Sequence, residues 1–190
     1  AIRAAVERAG LVASDIQEVI MGNCLMAGVG QAPARQASIG AGLPLSTGCT
    51  TISKMCGSGM KAAMLAHDLI IAGSNNIMVA GGMESMTNAP YLLPKARGGM
   101  RLGHQQVIDH MFLDGLEDAY DKGRLMGTFA EDCAGKYEFT RAAQDEFAIA
   151  SLTRALKATH DGSFAKEIAS IATKAGKQDV TIAQDEQPLT

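Results

Sequence analysis

The chain has 190 residues and a formal net charge of −3, and 47% of its residues are hydrophobic. A chain of this length and composition can bury a sizeable core, so we expect a globular protein and exclude an intrinsically disordered one. No block of basic residues accompanies the small negative charge, which argues against nucleic acid or an anionic membrane as a partner.

The cysteines and the apolar runs exclude further classes of protein. The cysteines form no CxxC pair and no dense framework, so we expect neither a metal site nor disulfides, and we predict a reducing, cytoplasmic location. No apolar run has the length of a membrane span, and we recognise no signal peptide. Because the sequence opens inside a helical pattern without an initiator methionine, we expect it to be part of a longer protein. The cysteines are Cys24, Cys49, Cys56 and Cys133.

Short apolar strands alternate with helices over residues 1–82. This alternation predicts an α/β layer with a mixed, largely parallel sheet, and the helix in first position implies a preceding strand that the sequence lacks. Gly10 is expected to stop the first helix, and Pro33 to start the second. In chain order we predict a helix over 1–9, a strand over 18–22, a helix over 33–40, a strand over 48–55, a helix over 57–72 and a strand over 76–82.

The pattern changes in the second half of the chain. Residues 84–125 contain several glycines and prolines, and an excursion of this length in a compact domain is usually functional or an interaction surface. Within it, residues 106–114 are amphipathic. We then predict a helix over 126–137, a helix over 141–160 capped by Thr140, and a hairpin that pairs 168–172 with 180–182.

Cys56 lies where a predicted strand turns into a predicted helix. A thiol at a helix start is close to unpaired N–H groups and to the positive end of the helix dipole, and both favour the reactive thiolate. Gly57 and Gly59 carry no side chain, so the backbone can approach a substrate closely. The pattern therefore favours a nucleophilic cysteine over its alternative, a small buried and unreactive residue.

Three predicted loops fall at the carboxyl ends of strands, where parallel α/β sheets bind their ligands. They are the loops at Asn23, at Cys56 and over residues 81–86. We expect these loops to meet, with Asn23, Gly57, Met83 and Met86 forming the wall of an active site around Cys56. We interpret the carboxylates of Glu18 and Glu84 as structural or surface groups and not as catalytic acids.

A nucleophilic cysteine needs a base within hydrogen-bond distance, and the histidines offer none. His67 lies roughly three turns along the predicted helix from Cys56, too far for a hydrogen bond. It shares an apolar stripe of that helix with Met60, Met64 and Ile71, so we expect it in the core or at an interface. His104 and His110 fall in the excursion and are expected to be exposed, while His160 ends a helix, where a cation suits the dipole. This arrangement weakens the interpretation of the chain as a cysteine protease.

The motifs around Cys56 resemble those of the thiolases. Ser-Lys-Met-Cys-Gly-Ser-Gly-Met-Lys-Ala over 53–62 resembles the nucleophile motif of that family, and Ala-Gly-Gly-Met-Glu-Ser-Met over 80–86 is similar to a second family motif. The resemblance spans essentially all 190 residues. The remaining motifs follow in the family's order, at 22–23, 30–36, 89–91, 101–103, 114–116, 126–127 and 130–131.

The resemblance implies an acyltransferase that condenses two acetyl-CoA molecules to acetoacetyl-CoA and CoA. Cys56 attacks the thioester of an acyl-CoA, and a second acetyl-CoA carbanion then takes the acyl group from the acyl-enzyme; the reverse reaction is thiolysis. The resemblance further implies that the Cys56 N–H belongs to an oxyanion hole and that Leu116 and Met126 contact CoA. Coenzyme A is then part of the substrate, and no cofactor and no metal are expected.

The resemblance also implies a domain organisation. Residues 1–86 would form a catalytic α/β core and residues 87–190 an inserted loop domain, with a tetramerisation loop over about 89–115, a CoA-covering helical part over about 116–165 and a final hairpin. The intact protein is expected to be a homotetramer, a dimer of dimers. The family's opening strand and its second half, which supplies an Asn, a His and an acid/base Cys, are missing from the sequence. We therefore expect the 190 residues alone to be inactive.

The sequence departs from the family pattern at one place, and several alternatives stay open. Leu125 stands where biosynthetic members commonly have His, and one extra residue lies between Leu116 and Met126. One alternative is a longer-chain 3-ketoacyl-CoA thiolase of β-oxidation. Others are a ketoacyl or hydroxymethylglutaryl-CoA synthase on the same fold, whose motifs differ, and a non-catalytic CoA-binding or assembly module in which Cys56 is merely buried.

Overall fold

The computed structural model describes residues 1–187. The chain divides into two compact units, Ala1–Met126 and Gly127–Thr190. The division predicted above, a core over 1–86 followed by a loop domain, stays a prediction. None of the helices in the described residues is both long and apolar enough to cross a membrane.

A parallel three-stranded sheet with helices packed on it forms the centre of the first unit, as the alternating pattern predicts. A two-stranded antiparallel sheet and three short helical turns, over Ala13–Asp15, Ala96–Gly98 and Phe112–Leu116, complete it. The regular elements are α1 (Ile2–Arg8), β1 (Glu18–Gly22), α2 (Pro33–Gly40), β2 (Gly48–Ile52), α3 (Ser58–Ile71), β3 (Met78–Gly82), β4 (Tyr91–Leu92) and β5 (Ile108–Asp109).

The three parallel strands lie in the order β2-β1-β3 and share one register. Glu18 pairs with Gly48 and Met78 at one end, and the strands finish side by side at the other. The central strand is almost wholly buried, which explains its continuous apolar sequence. The main hydrophobic core contains buried residues of this strand, of α1, of α2 and of the adjoining loops. They are Ile2, Val6, Ile16, Val19, Met21, Ala34 and Leu43.

Two strands are shorter than predicted, for local reasons. β2 stops at Ile52 and not at residue 55, because the chain turns sharply and Met55 adopts a φ of +50°. β3 begins at Met78 and not at residue 76, because the Asn76 and Ile77 N–H groups donate to Gln17 Oε1 and not to a neighbouring strand. The ends of β1 and α2 agree with the prediction.

The second half of the chain contains α4 (Met126–Lys136), α5 (Arg141–His160) and an antiparallel hairpin of β6 (Ile171–Ala175) and β7 (Gln178–Ile182). The predicted cap of α5 is present, since Thr140 Oγ1 accepts a hydrogen bond of 3.2 Å from the Ala143 N–H. The first hairpin strand starts three residues later than predicted. Ile168 instead donates its N–H to the Phe164 carbonyl, in a helical turn that follows α5.

Candidate active site

A cavity of about 420 Å³ lies at the carboxyl edge of the parallel sheet. The three loops that the sequence places at strand ends converge on it, because the shared register brings those ends to one level. Its lining comes from four segments of the first unit: Gly22, Asn23, Cys24 and Leu25; Met55, Cys56, Ser58 and Gly59; Gly82, Met83, Glu84 and Met86; and Met111, Gly115 and Leu116.

Cys56 is exposed in this cavity and lies two residues before the first residue of α3. Three hydrogen bonds to the carbonyl oxygen of the preceding residue, Met55, fix the turn that holds Cys56. The donors are Ser58 Oγ at 2.6 Å, the Ser58 N–H at 3.0 Å and Cys24 Sγ at 3.0 Å. Ser58 Oγ in turn accepts from the Lys54 N–H at 2.8 Å. These bonds offset the cost of a positive φ at Met55, a residue with a Cβ. The thiol is therefore presented on a rigid turn at a helix start.

Gly22, the last residue of β1, allows α3 to start directly against the sheet. A Cβ at Gly22 would lie 2.5 Å from the Ser58 carbonyl carbon and 2.6 Å from Gly59 N, closer than real atoms approach. A Cβ at Gly57 or Gly59 would meet its nearest neighbour at 3.5 or 3.8 Å, an ordinary contact. Glycine is therefore strictly required at Gly22 in β1, and not at Gly57 or Gly59 after Cys56.

Asn23 and Glu84 connect the loop after β1 to the loop after β3. Asn23 is only 4% exposed, and its Nδ2 donates to Met83 O at 3.0 Å and to Glu84 Oε1 at 2.7 Å. The Glu84 carboxylate also accepts from the N–H groups of Cys24 at 2.8 Å and Leu25 at 2.9 Å. Glu84 therefore has the structural role that the sequence analysis gave it.

The other residues expected at the site divide into two groups. Met83, Met86 and Leu116 line the cavity and form part of an apolar wall. Gly57 caps α3 beside Cys56, and Met126 begins α4, but neither lines the cavity.

The sequence analysis missed Cys24, Leu25, Met111 and Gly115 as cavity residues. The first two directly follow Asn23 in the predicted loop, so their position in the chain could have identified them. The last two belong to the excursion, whose fold depends on contacts distant in sequence. The apolar wall is consequently larger than the loops at the strand ends alone suggested.

The expectation that His110 is exposed was wrong. His110 is 6% exposed, with Nδ1 at 2.6 Å from Asp114 Oδ2 and Nε2 accepting from the Ala27 N–H at 3.3 Å. Because Nε2 accepts, these bonds assign the ring proton to Nδ1. The histidine thus connects the excursion to the loop after β1, a pairing that no local pattern could reveal.

The expectation that His67 lies in the core was also wrong, and the alternative, an interface, stays a prediction. Its side chain is 72% exposed, with Nδ1 at 3.2 Å from Asp68 Oδ1, because α3 buries its small residues, such as Ala62 and Ala66, and turns its methionine stripe outward. His104 is exposed, and His160 is the last residue of α5, both as expected. Among residues 1–187, therefore, no histidine lines the cavity around Cys56.

The chain is similar to proteins of one family along its whole length. The family model described as the N-terminal domain of thiolase matches residues 1–190. The acetyl-CoA acetyltransferase of Schizosaccharomyces pombe is 47% identical over 190 residues, which cover 99% of this chain and 48% of that protein. The mitochondrial acetyl-CoA acetyltransferase A of Xenopus laevis is 49% identical over 188 residues, covering 98% and 44%.

A solved structure gives the same result for the fold. The crystal structure of the Acat5 thiolase from Ascaris suum, in complex with coenzyme A, matches with a TM-score of 0.90 and 39% sequence identity, and the match covers 99% of this chain and 47% of that one. The chain thus spans about half the length of the relatives it matches. It belongs to the thiolase family, whose N-terminal domain its sequence matches from end to end.

Proposed function

We propose that these residues supply the nucleophile of a thiolase active site that condenses two acetyl-CoA molecules to acetoacetyl-CoA and CoA. The observation that carries this proposal is the placement of Cys56, exposed at the start of α3 in a cavity built from the ends of all three parallel strands. It is supported by the two relatives described above, which match almost the whole chain and are named acetyl-CoA acetyltransferases.

In the proposed reaction, the Cys56 thiolate attacks the thioester carbonyl carbon of acetyl-CoA, and the carbonyl oxygen takes up the negative charge. The N–H of Cys56 would donate to that oxygen, as an oxyanion-hole donor does. Collapse of the intermediate expels the first CoA as its thiolate and leaves an acetyl thioester on Cys56. The carbanion of a second acetyl-CoA then attacks this thioester, which forms acetoacetyl-CoA and returns Cys56 to the thiolate.

The walls of the cavity suit the apolar parts of such a substrate. Leu25, Met83, Met111 and Leu116 line the cavity around Cys56 with aliphatic and thioether side chains, which would pack against the apolar parts of an acyl-CoA. Contact of Leu116 and Met126 with coenzyme A stays a proposal, supported by the relative that was solved with coenzyme A bound. Coenzyme A enters as part of the substrate, and we propose no further cofactor.

The proposed reaction also needs a base, which the described residues do not offer to Cys56. Apart from the two cysteines, Glu84 is the only titratable side chain among the lining residues in 1–187, and its oxygens already accept three hydrogen bonds. The relatives are about twice as long as this chain. We therefore propose that the base comes from the half that the relatives have in addition, and that the 190 residues alone give no turnover.

A chimera tests this proposal. The 190 residues would replace the matching segment of the Schizosaccharomyces pombe relative, and acetoacetyl-CoA formation and labelling by radioactive acetyl-CoA would be measured. We expect a labelled, active chimera, loss of the label in Cys56→Ser, and retention of the label in Cys49→Ser. A folded but unlabelled chimera, or label retained in Cys56→Ser, would contradict the assignment, and thiolysis by the 190-residue chain alone would refute its predicted inactivity.

The same chimera separates the alternatives. Faster thiolysis of long-chain than of four-carbon 3-ketoacyl-CoA would indicate a β-oxidation thiolase within fatty acid metabolism. A Cys56 that iodoacetamide labels no faster than Cys133 would favour a non-catalytic CoA-binding or assembly module. Homotetramer formation and a cytoplasmic location stay predictions; one relative is named as mitochondrial.

A further inference from the structure

A second thiol lies in the cavity beside the nucleophile, and the proposed acyl transfer does not use it. Cys24 is partly buried, and its Sγ lies 3.0 Å from Met55 O and 3.4 Å from Ser58 Oγ. Both Cys24 and Cys56 line the cavity. The two thiols therefore share one pocket and one helix start, although 31 residues separate Cys24 from the Met55 carbonyl that it contacts.

The contact with Met55 O places Cys24 within reach of Cys56. That oxygen belongs to the peptide group that joins Met55 to Cys56, and in a trans peptide it lies about 3 Å from the following Cα. Cys24 Sγ is consequently within about 6 Å of the Cys56 Cα, and Cys56 is exposed. A disulfide requires Cα atoms about 4.4–6.8 Å apart, and this bound on the distance from Cys24 Sγ to the Cys56 Cα allows a Cα–Cα separation in that range.

The other cysteine of this unit is placed differently. Cys49 is the second residue of β2, near the amino end of the strand, and its Sγ contacts Thr47 O at 3.4 Å. It therefore lies towards the opposite edge of the sheet from the cavity, and it is not among the lining residues. Cys49 serves as an internal control for any reaction that depends on proximity to Cys56.

We propose that Cys24 is a resolving cysteine, which forms a reversible disulfide with Cys56 when a hydroperoxide oxidises the nucleophile. The Cys56 thiolate attacks the terminal oxygen of the peroxide, the O–O bond breaks, and Cys56 becomes a sulfenic acid. Hydroxide leaves from hydrogen peroxide and is protonated to water, whereas alkoxide leaves from an organic peroxide and is protonated to alcohol. The Cys24 sulfur then attacks the sulfenic sulfur and loses its proton, and the sulfenic oxygen leaves as water. The sulfur pair gives up two electrons, which the peroxide receives.

The disulfide would have two consequences. It removes Cys56 from acyl transfer while it lasts, and it protects the sulfur from irreversible oxidation to the sulfinic acid. The first consequence rests on the function proposed above. The formation of the bond itself does not, because it needs only the two thiols and the peroxide. The two proposals can therefore fail independently.

Peptide mapping tests the inference on the purified 190-residue chain. Trypsin places the four cysteines on four different peptides, which span residues 9–35, 36–54, 55–61 and 125–136. The chain would be treated with hydrogen peroxide, its remaining thiols blocked with N-ethylmaleimide, and the monomer isolated from a non-reducing gel and digested. We expect the linked pair of peptides 9–35 and 55–61 to exceed any other linked pair at least tenfold, and to disappear with dithiothreitol.

Two variants sharpen the test. Cys24→Ala should remove the linked pair and leave Cys56 as a sulfenic acid that dimedone captures, whereas Cys49→Ala should leave the pair unchanged. Three outcomes would overturn the inference. They are linkage of Cys56 mainly to Cys49 or Cys133, linkage only between chains, and a sulfinic acid at Cys56 without the linked pair of peptides 9–35 and 55–61. The peptide map of the unmodified sequence distinguishes these outcomes even if Cys24→Ala is poorly folded.

Discussion

Gly22 determines how closely the helix that follows Cys56 approaches the sheet. The start of α3 rests on the backbone of β1, where any side chain would occupy the position of Ser58. The position of the nucleophile therefore depends on a residue that the motif around Cys56 does not contain. It is also fixed by Cys24 and Ser58, whose side chains both donate to the Met55 carbonyl.

Substitution of Gly22 tests this dependence. We expect Gly22→Ala to lower the free energy of unfolding by about 2–3 kcal/mol, because its Cβ collides with backbone atoms that cannot move independently. Gly59→Ala is the matched control on the facing helix. Its Cβ meets Gly81 O at 3.8 Å, and alanine favours helix, so we expect no loss and a gain of up to about 1 kcal/mol. Equal effects of the two variants in urea denaturation would contradict this explanation.

At the scale of elements, a carboxylate connects loops that belong to different strands. Glu84 follows β3, yet it accepts from three N–H groups in the loop after β1. Charged acceptors form stronger hydrogen bonds than neutral ones, and two of these donors are backbone groups with fixed positions. Glu84 is therefore expected to hold the two cavity loops together.

Removal of the charge should loosen that connection. We expect Glu84→Gln to destabilise the first unit by about 2 kcal/mol and to speed hydrogen exchange at the Cys24 and Leu25 amides, which lose a charged acceptor. Glu18→Gln is the control, because the side chains of Asn75 and Thr50, and not backbone groups, are the donors seen at Glu18 among residues 1–187. Its loss should stay below about 1 kcal/mol. Unchanged exchange at both amides in Glu84→Gln would argue against the connection.

The C-terminal end of α5 offers a prediction about pH. A hydrogen bond of 2.6 Å from Lys157 Nζ, helped by the Ser163 N–H and hydroxyl, lowers the pKa of Asp161 from its usual 3.8 to about 2. A carboxylate whose pKa is lower in the folded state stabilises that state above its unfolded pKa. This contribution should thus be complete above about pH 4 and be lost as the pH falls through about 2.

A carbon-13 NMR titration of the Asp161 carboxyl group measures this directly. The midpoint should lie near 2 and should move towards 3.8 in Lys157→Met, because the largest cause of the shift is then removed. Arg141→Met serves as the control, since it removes a similar ion pair with Asp145 at the opposite end of the same helix. A midpoint that does not respond to Lys157→Met would refute the assigned cause.

At the scale of the whole molecule, the alternation of short apolar strands and helices was enough to predict the parallel layer and the edge where the loops meet. The same pattern placed Asn23, Cys56 and Met83 around one cavity, because parallel strands in one register must end together. The strand limits were less accurate. They depend on single events, such as the positive φ at Met55, that no periodicity encodes.

The parts that could not be predicted depend on contacts between distant residues. The excursion places Met111 and Gly115 against the cavity and buries His110 against Ala27, 83 residues away. His67 shows the opposite failure, because an apolar stripe on α3 was taken for its buried face, whereas the helix buries its alanines. Local pattern identifies amphipathic segments, but packing decides which face is covered and by which part of the chain.

The shared register of the three strands also has a practical use. Because every strand runs in the same direction, the turns that lead from a helix into a strand lie at the edge remote from Cys56. The turn at Gly73 and Ser74 is one of these, and both residues are exposed. Gly73 has a φ of +73°, which L side chains rarely adopt, so Ser74 is the position to substitute. A fluorophore or an affinity tag attached there would report on the molecule from the far side of the sheet and leave the nucleophile undisturbed.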